Sequence, residues 1–165
     1  MADKIFRVNM SDLSTRIEEV PEAWMGLGGR GLTSTIVAAE VEPTCHPLGK
    51  RNKLVFAPGL LSGTPAANSG RLSCGAKSPL TGTIKEANSG GSSAQMLAPL
   101  GVKALIIEGK PADAPKWYSL QVGENGVTIK EESEVVGLGN FAVIEKLNQR
   151  INDKVGVISI GPAGE

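Results

Sequence analysis

Residues 58–91 read PGLLSGTPAANSGRLSCGAKSPLTGTIKEANSGG, a stretch dense in glycine and in small hydroxyl side chains. Arg71 to Ala76 and Thr83 to Ala87 have the composition of two short strands, and Pro79 keeps Ser78 between them out of helical geometry. Lys53 to Ala57 is a short apolar strand feeding this stretch from upstream. Downstream, Ser92 to Leu100 reads as a helix closed by Gly101, and Lys103 to Glu108 (KALIIE) as a buried strand. Farther out, Lys4 to Met10 and Ser14 to Val20 alternate apolar and polar residues around Ser11-Asp12-Leu13, the pattern of an antiparallel hairpin. Pro21 opens a short helical stretch ending in Gly26 to Gly29. Leu32 to Val41 reads as a second helix, stopped by Pro43 and Pro47. Trp117 to Val122 pairs with Val127 to Lys130 across Glu124-Asn125-Gly126. Asn140 to Ile151 carries Phe141, Val143, Ile144 and Leu147 on one helical face, and a strand is expected over Val155 to Ile160. Helices and strands thus come in mixed order, which predicts an α+β domain with largely antiparallel sheets and a few short helices.

Composition sets the bounds. The 165 residues are enough for one domain with a real core. Formal net charge is zero and both signs are interspersed, so no broad footprint exists for a nucleic-acid backbone or an anionic membrane surface. No apolar run approaches the ~18 residues that span a bilayer. The start, Met1 to Arg7, becomes charged and strand-like within a few residues and lacks a signal peptide's apolar run. With only two cysteines, Cys45 and Cys74, a disulfide framework is out of reach and a cytoplasmic location is expected. Two thiols also cannot hold an iron–sulfur cluster. The chain reaches Gly161-Pro162-Ala163-Gly164-Glu165, connector chemistry directly after an expected core strand, so residues 1–165 are expected to be a domain truncated at its C-terminal end.

Two motifs mislead. Gly26-Leu27-Gly28-Gly29-Arg30-Gly31 fits the letters GxGxxG, but a dinucleotide turn joins a strand to a helix and here helical sequence precedes the first glycine. A nicotinamide site is therefore the alternative reading. Gly70 to Ser78, GRLSCGAKS, is one residue longer than a phosphate-loop motif, and Pro79 prevents the helix that such a loop needs.

The chemistry that remains is the 58–91 stretch itself. Gly59, Gly63, Gly70, Gly75, Gly82, Gly90 and Gly91 let main chain approach a ligand, and Ser62, Thr64, Ser78, Thr81 and Ser89 offer hydroxyls. Arg71, Lys77 and Lys85 face one acid, Glu86, which favours an anion; Arg71 could grip a phosphate through two charge-assisted bonds. Gly90-Gly91 precede a predicted helix, whose amides would add to the attraction. The same residues also suit a pair of hairpins rich in turn chemistry, and composition does not separate these readings. Cys74 is either a reactive thiol or an inert buried one. Cys45-His46 lacks a third ligand at metal-binding spacing, so His46 reads as a surface loop residue.

Several ordered segments carry a resemblance: Arg7-Val8-Asn9, Gly29-Arg30-Gly31-Leu32, Asn52-Lys53-Leu54, Gly63-Thr64-Pro65, Lys77-Ser78-Pro79-Leu80-Thr81-Gly82, Ala87-Asn88-Ser89-Gly90-Gly91, Ile106-Ile107-Glu108-Gly109-Lys110 and Ile160 to Glu165. Together they resemble the N-terminal domain of the tungsten-dependent aldehyde ferredoxin oxidoreductases. That resemblance implies a base on which a tungsten or molybdenum bis-pterin cofactor lies. It implies an enzyme that oxidises aldehydes to carboxylic acids and passes electrons through a [4Fe–4S] cluster to ferredoxin. Carried over by position, Arg71 contacts a pterin phosphate, and Lys77, Asn88, Ser89, Gly90 and Gly91 complete the cofactor-binding set. The Asn88 backbone carbonyl is the candidate magnesium ligand. No catalytic residue is expected here: the cluster cysteines and the acid/base groups lie in the family's later part, so the 165 residues alone are expected to be inactive. Its partner would be the remainder of the enzyme or a separate catalytic subunit, with a homo-oligomer compatible. A stand-alone metallopterin-binding subunit is the second function class, and a relative acting on an aromatic acyl thioester would carry a similar first domain.

Overall fold

The computed structural model describes residues 3–112, 116–151, 155–162 and 164. Alternation around the Asp12 turn gives the expected hairpin, β1 (Lys4–Asn9) and β2 (Ser14–Glu19), in antiparallel register from Lys4↔Glu19 to Asn9↔Ser14. Pro21 precedes α1 (Glu22–Met25), and α2 (Gly29–Glu40) follows after a glycine corner. It starts three residues before the apolar run that announced it. Next come β3 (Lys53–Pro58), β4 (Arg71–Lys77), β5 (Ile84–Gly90) and α3 (Ser92–Leu97). The helix tightens to a 3-10 turn at Ala98–Leu100, where Pro99 supplies no amide, and ends at a left-handed Gly101. Strand β6 (Val102–Glu108), the hairpin β7 (Trp117–Gly123) and β8 (Gly126–Glu132), and α4 (Asn140–Ile151) complete the order.

The fold is α+β, as the mixed order predicts. Six strands form one sheet in the order β2-β1-β6-β3-β4-β5, and β7-β8 form a second. All neighbours are antiparallel except β1 and β6, which run parallel from Lys4↔Val102 to Asn9↔Glu108. Alternation splits the large sheet into two apolar faces. Ile5, Val55, Ala57, Ala104 and Ile106 meet Leu32, Ile36 and Val37 of α2, while Phe6, Val8 and Leu105 meet Leu97, Leu100 and the apolar side of β7-β8. This double cover makes β1, β3 and β6 apolar on both sides.

Arg7 breaks that rule. It sits on the α2 face, almost fully buried, and binds Glu18 (3.1 Å), Glu40 (2.8 Å) and Glu108 (3.2 Å). Lys53 pairs with Glu40 at 2.9 Å and also with Glu108. Burial works against the Arg7 charge, but the hydrogen bonds it donates to Glu40 and Glu18 outweigh it and hold the guanidinium above its ordinary range. Burial likewise pushes the Glu40 carboxyl up, and Arg7 and Lys53 together pull it below its usual value. The cluster ties the edge hairpin, the end of α2 and the two central strands.

Helix α4 is held to the small sheet through Arg150, whose guanidinium grips buried Glu132 at 2.9 and 2.7 Å. One expectation fails beyond it. Residues 155–160 do not join a sheet; they alternate half-buried and exposed side chains as an extended strand would, but no strand among the described residues lies beside them. A ladder needs a neighbour, and local alternation cannot supply one. No helix of the described residues is long and apolar enough to cross a membrane.

Candidate functional site

Strand β4 passes under α2 on one side and beside α3 on the other. On the α2 side lie Arg71, Ser73, Gly75 and Lys77, opposite Gly90, Asn88, Glu86 and Ile84 of β5. Gly75 makes the close approach to α2 possible: a Cβ there would stand 2.7 Å from the Thr33 Cβ.

The backbone of β5 is the less obvious half of the site. The Gly59 amide donates to the Arg71 carbonyl (2.9 Å), so Arg71 turns its backbone toward β3. Antiparallel alternation then turns Leu72, Cys74 and Ala76 toward β5, consistent with the Ser78 amide donating to the Thr83 carbonyl at 2.8 Å. Ala87 and Ser89 therefore face inward, and Glu86, Asn88 and Gly90 present their main-chain groups outward from an edge strand. Gly91 follows with φ 106°, a conformation that side-chain-bearing residues rarely adopt, and the space around it is open.

Arg71 stands over this edge. A Cβ on Gly90 would lie 3.7 Å from its Nη1, the guanidinium is exposed, and among the described residues it has no side-chain hydrogen bond or ion pair. Glu86 on the same face is answered by Arg30 in the first turn of α2 (3.2 Å), with its Oε1 buried and unpartnered. A free guanidinium, exposed main-chain amides and an outward carbonyl form a donor set for an oxyanion and for a hard cation that shares it.

The structure brings Arg71, Asn88, Gly90 and Gly91 to one end of this hairpin and sends other candidates elsewhere. The Ser89 side chain points to the α3 side, its Oγ donating to the Gly90 carbonyl (3.0 Å). Lys77 lies at the far end of β4, about 20 Å along the strand. Its buried ammonium donates to the Cys45 carbonyl (2.7 Å) and to the Pro43 carbonyl, so it anchors the loop after α2. Replacing Lys77 by Met is expected to lower the melting temperature by several degrees and leave ligand binding at Arg71 unchanged, measured by thermal unfolding and anion titration side by side. Hairpin chemistry explains several hydroxyls. Ser62 Oγ donates to the Ser69 carbonyl (3.1 Å), Thr64 Oγ1 to the Leu61 carbonyl (2.7 Å), and Ser78 Oγ accepts the Leu80 and Thr81 amides (3.1 and 3.2 Å). Helix α3 has only six residues, too short for a strong dipole behind Gly91.

Other readings meet plain geometry. Gly26 is entered from α1, not from a strand, so the dinucleotide turn is not built. Gly70 to Ser78 is mostly strand β4. Cys74 lies half-buried on the α3 side, and burial, then the Glu86 charge, pushes its thiol up, away from nucleophilic character. Cys45 is buried in the core, while His46 is exposed and accepts the Leu48 amide. The reading of residues missed Ser73, which is fully buried and accepts a 2.9 Å hydrogen bond from Asn88 Nδ2. Alternation from Arg71 would have put it on the correct face.

Comparison with known proteins adds independent findings. Residues 5–165 match the family model described as the aldehyde ferredoxin oxidoreductase N-terminal domain. Tungsten-containing aldehyde ferredoxin oxidoreductases are 37% identical over 165 residues in Pyrococcus furiosus and 41% identical over 167 residues in Pyrococcus abyssi. Each alignment covers 98% of this chain and 27% of the relative, so the chain spans about a quarter of the length of these curated relatives. Among solved structures, a chain of the active site complex BamBC of benzoyl coenzyme A reductase, in complex with 1,5 dienoyl-CoA, superposes with a TM-score of 0.83 at 28% identity. That match covers 90% of this chain and 23% of the other.

Proposed function

Because this chain belongs to the aldehyde ferredoxin oxidoreductase family and forms its N-terminal domain, we propose that its β4–β5 edge carries a tungsten or molybdenum bis-pterin cofactor inside a longer oxidoreductase. One observation carries the reading: Arg71, whose guanidinium has no partner among the described residues, stands over an edge strand whose Asn88 and Gly90 main-chain groups face outward. The residues present fit the group. Arg71 would hold a pterin phosphate, the amides of Gly90 and Gly91 would line it, and the Asn88 carbonyl would ligate a magnesium ion between phosphates. Ser89 would contribute its main chain, and Lys77, about 20 Å away along β4, would anchor the loop after α2 without touching the cofactor. When bound, the metallopterin supplies two-electron oxidation of an aldehyde to a carboxylic acid, with electrons leaving through a [4Fe–4S] cluster to ferredoxin. This domain's part is to bind and orient. Its two cysteines cannot ligate that cluster, so the cluster and the aldehyde pocket belong to the rest of the enzyme. A cytoplasmic location, where thiols stay reduced, is part of this proposal and is supported by the two free cysteines.

The test is anaerobic purification of the enzyme at its full natural length, with tungsten, molybdenum and pterin counted per polypeptide by mass spectrometry. Near-stoichiometric metal and pterin are expected. Arg71→Ala is expected to weaken pterin retention about 10- to 100-fold, the worth of losing charge-assisted hydrogen bonds of about 1.5–3 kcal/mol. Wild-type protein that carries neither metal nor pterin would overturn the assignment, and so would full retention after Arg71→Ala.

A further inference from the structure

We infer that Ser73 is a positioning residue which, through the Asn88 side chain, aims the Asn88 carbonyl and sets a preference for magnesium over calcium; this rests on the magnesium role proposed above. Ser73 and Asn88 face each other across β4 and β5. Because the main chain of Asn88 points outward, theirs is a rung without backbone hydrogen bonds, where facing side chains come closest. The cross-strand tie at that rung is the Asn88 Nδ2 to Ser73 Oγ bond of 2.9 Å. Ser73 is itself immobilised. It is fully buried, and the first turn of α2 closes over it, with the position of a Cβ on Gly29 only 3.4 Å from Oγ.

The outward carbonyl needs such a tie. Among the described residues no neighbouring strand restrains it, and Gly90 and Gly91 follow immediately, the second with φ 106°. Magnesium demands near-octahedral oxygens at about 2.0–2.1 Å, whereas calcium accepts about 2.3–2.6 Å in looser arrangements. Loosening the carbonyl therefore harms magnesium binding more than calcium binding.

The experiment uses the full-length enzyme as wild type, Ser73→Ala, Asn88→Ala and the double variant. Each is dialysed against equal concentrations of both ions, and bound magnesium and calcium are counted per pterin by elemental mass spectrometry. Melting temperatures are recorded in parallel. Asn88→Ala keeps the backbone carbonyl and removes only the tie. Each single variant is expected to lower the magnesium-to-calcium ratio about tenfold, the low end of outer-shell effects on metal affinity. The double variant should be no worse than either single one, because both remove the same bond. Asn88→Asp should restore part of the preference, with the Ser73 hydroxyl donating to the new carboxylate. If wild type binds magnesium with its pterin and Ser73→Ala lowers only the melting temperature, Ser73 is a packing residue and the inference falls alone. If wild type carries pterin but no magnesium, the magnesium role falls as well.

Discussion

Replacing Arg7 by Met is expected to lower the unfolding free energy of the domain by about 3–5 kcal/mol at neutral pH, the usual cost of removing one partner from a buried ion cluster. Methionine keeps most of the stem's packing, so the loss isolates the charge. Glu18, Glu40 and Glu108 converge on the one guanidinium, and afterwards, among the described residues, Lys53 and the exposed Arg16 would be left to answer them. The effect should depend on pH with a definite sign. At Glu18, burial raises the carboxyl and hydrogen bonds from Arg7 and Arg16 more than offset it, and Glu40 behaves likewise with Arg7 and Lys53. A carboxyl held below its unfolded value contributes stability that is present above that value and lost as pH falls through the lower folded one. The wild type should thus lose stability on acidification through and below the ordinary carboxylate range. The variant lacks this contribution, so the gap between them should be widest near pH 7 and narrow toward pH 3. Urea unfolding at a series of pH values measures it, and a gap constant with pH would show that Arg7 acts by packing alone.

Gly75→Ala is expected to cost about 1–3 kcal/mol, more than its single methyl suggests. The new Cβ would meet the Thr33 Cβ at 2.7 Å and Oγ1 at 2.9 Å, and Thr33 is fully buried in α2 with no room to retreat. Either β4 or α2 must shift. Because the nearest atom is the Thr33 Cβ, Thr33→Ala should not rescue the variant, whereas Thr33→Gly should recover part of the loss, less about 1 kcal/mol for glycine inside a helix. Melting temperatures of the three combinations decide it. Rescue by Thr33→Ala would mean that the hydroxyl or methyl, not the helix–strand spacing, is the obstacle. The same shift would displace Arg30 from Glu86, so disturbance at the cradle should accompany the stability loss.

Much of this was legible because local patterns carry it. Alternation around Ser11 to Leu13 gave the first hairpin, KALIIE gave β6, and Asn125-Gly126 gave the last hairpin. The parallel pairing of β1 with β6 had no local signature, since its register joins residues nearly a hundred positions apart. At the site, the expected strand ended at Ala87, while β5 continues to Gly90. Those three residues decide everything: only as strand do Asn88 and Ser89 point to opposite faces. Lys77 stood in the cofactor-binding set because sequence shows a charge and not the carbonyls of Pro43 and Cys45 that receive it. Residues 155–160 looked like a strand because periodicity reports which side chains are shielded, and says nothing of a hydrogen-bonded neighbour.

The central place of β6 governs the order in which the molecule can come together as it is made. The first hairpin and the β3-β4-β5 meander are both complete in sequence before β6, yet β6 alone joins them, pairing with β1 on one side and β3 on the other. At about 5–20 residues per second, roughly 100 residues separate β1 from its parallel partner, so the first hairpin waits about 5–20 s with an open edge. The meander, complete only at Gly90, waits just for the short stretch before Val102. Glu18 and Glu40 are both made before Glu108, so the Arg7 cluster gains its third carboxylate last. Closure is therefore a single late event, and the nascent chain is most exposed to mispairing just before it.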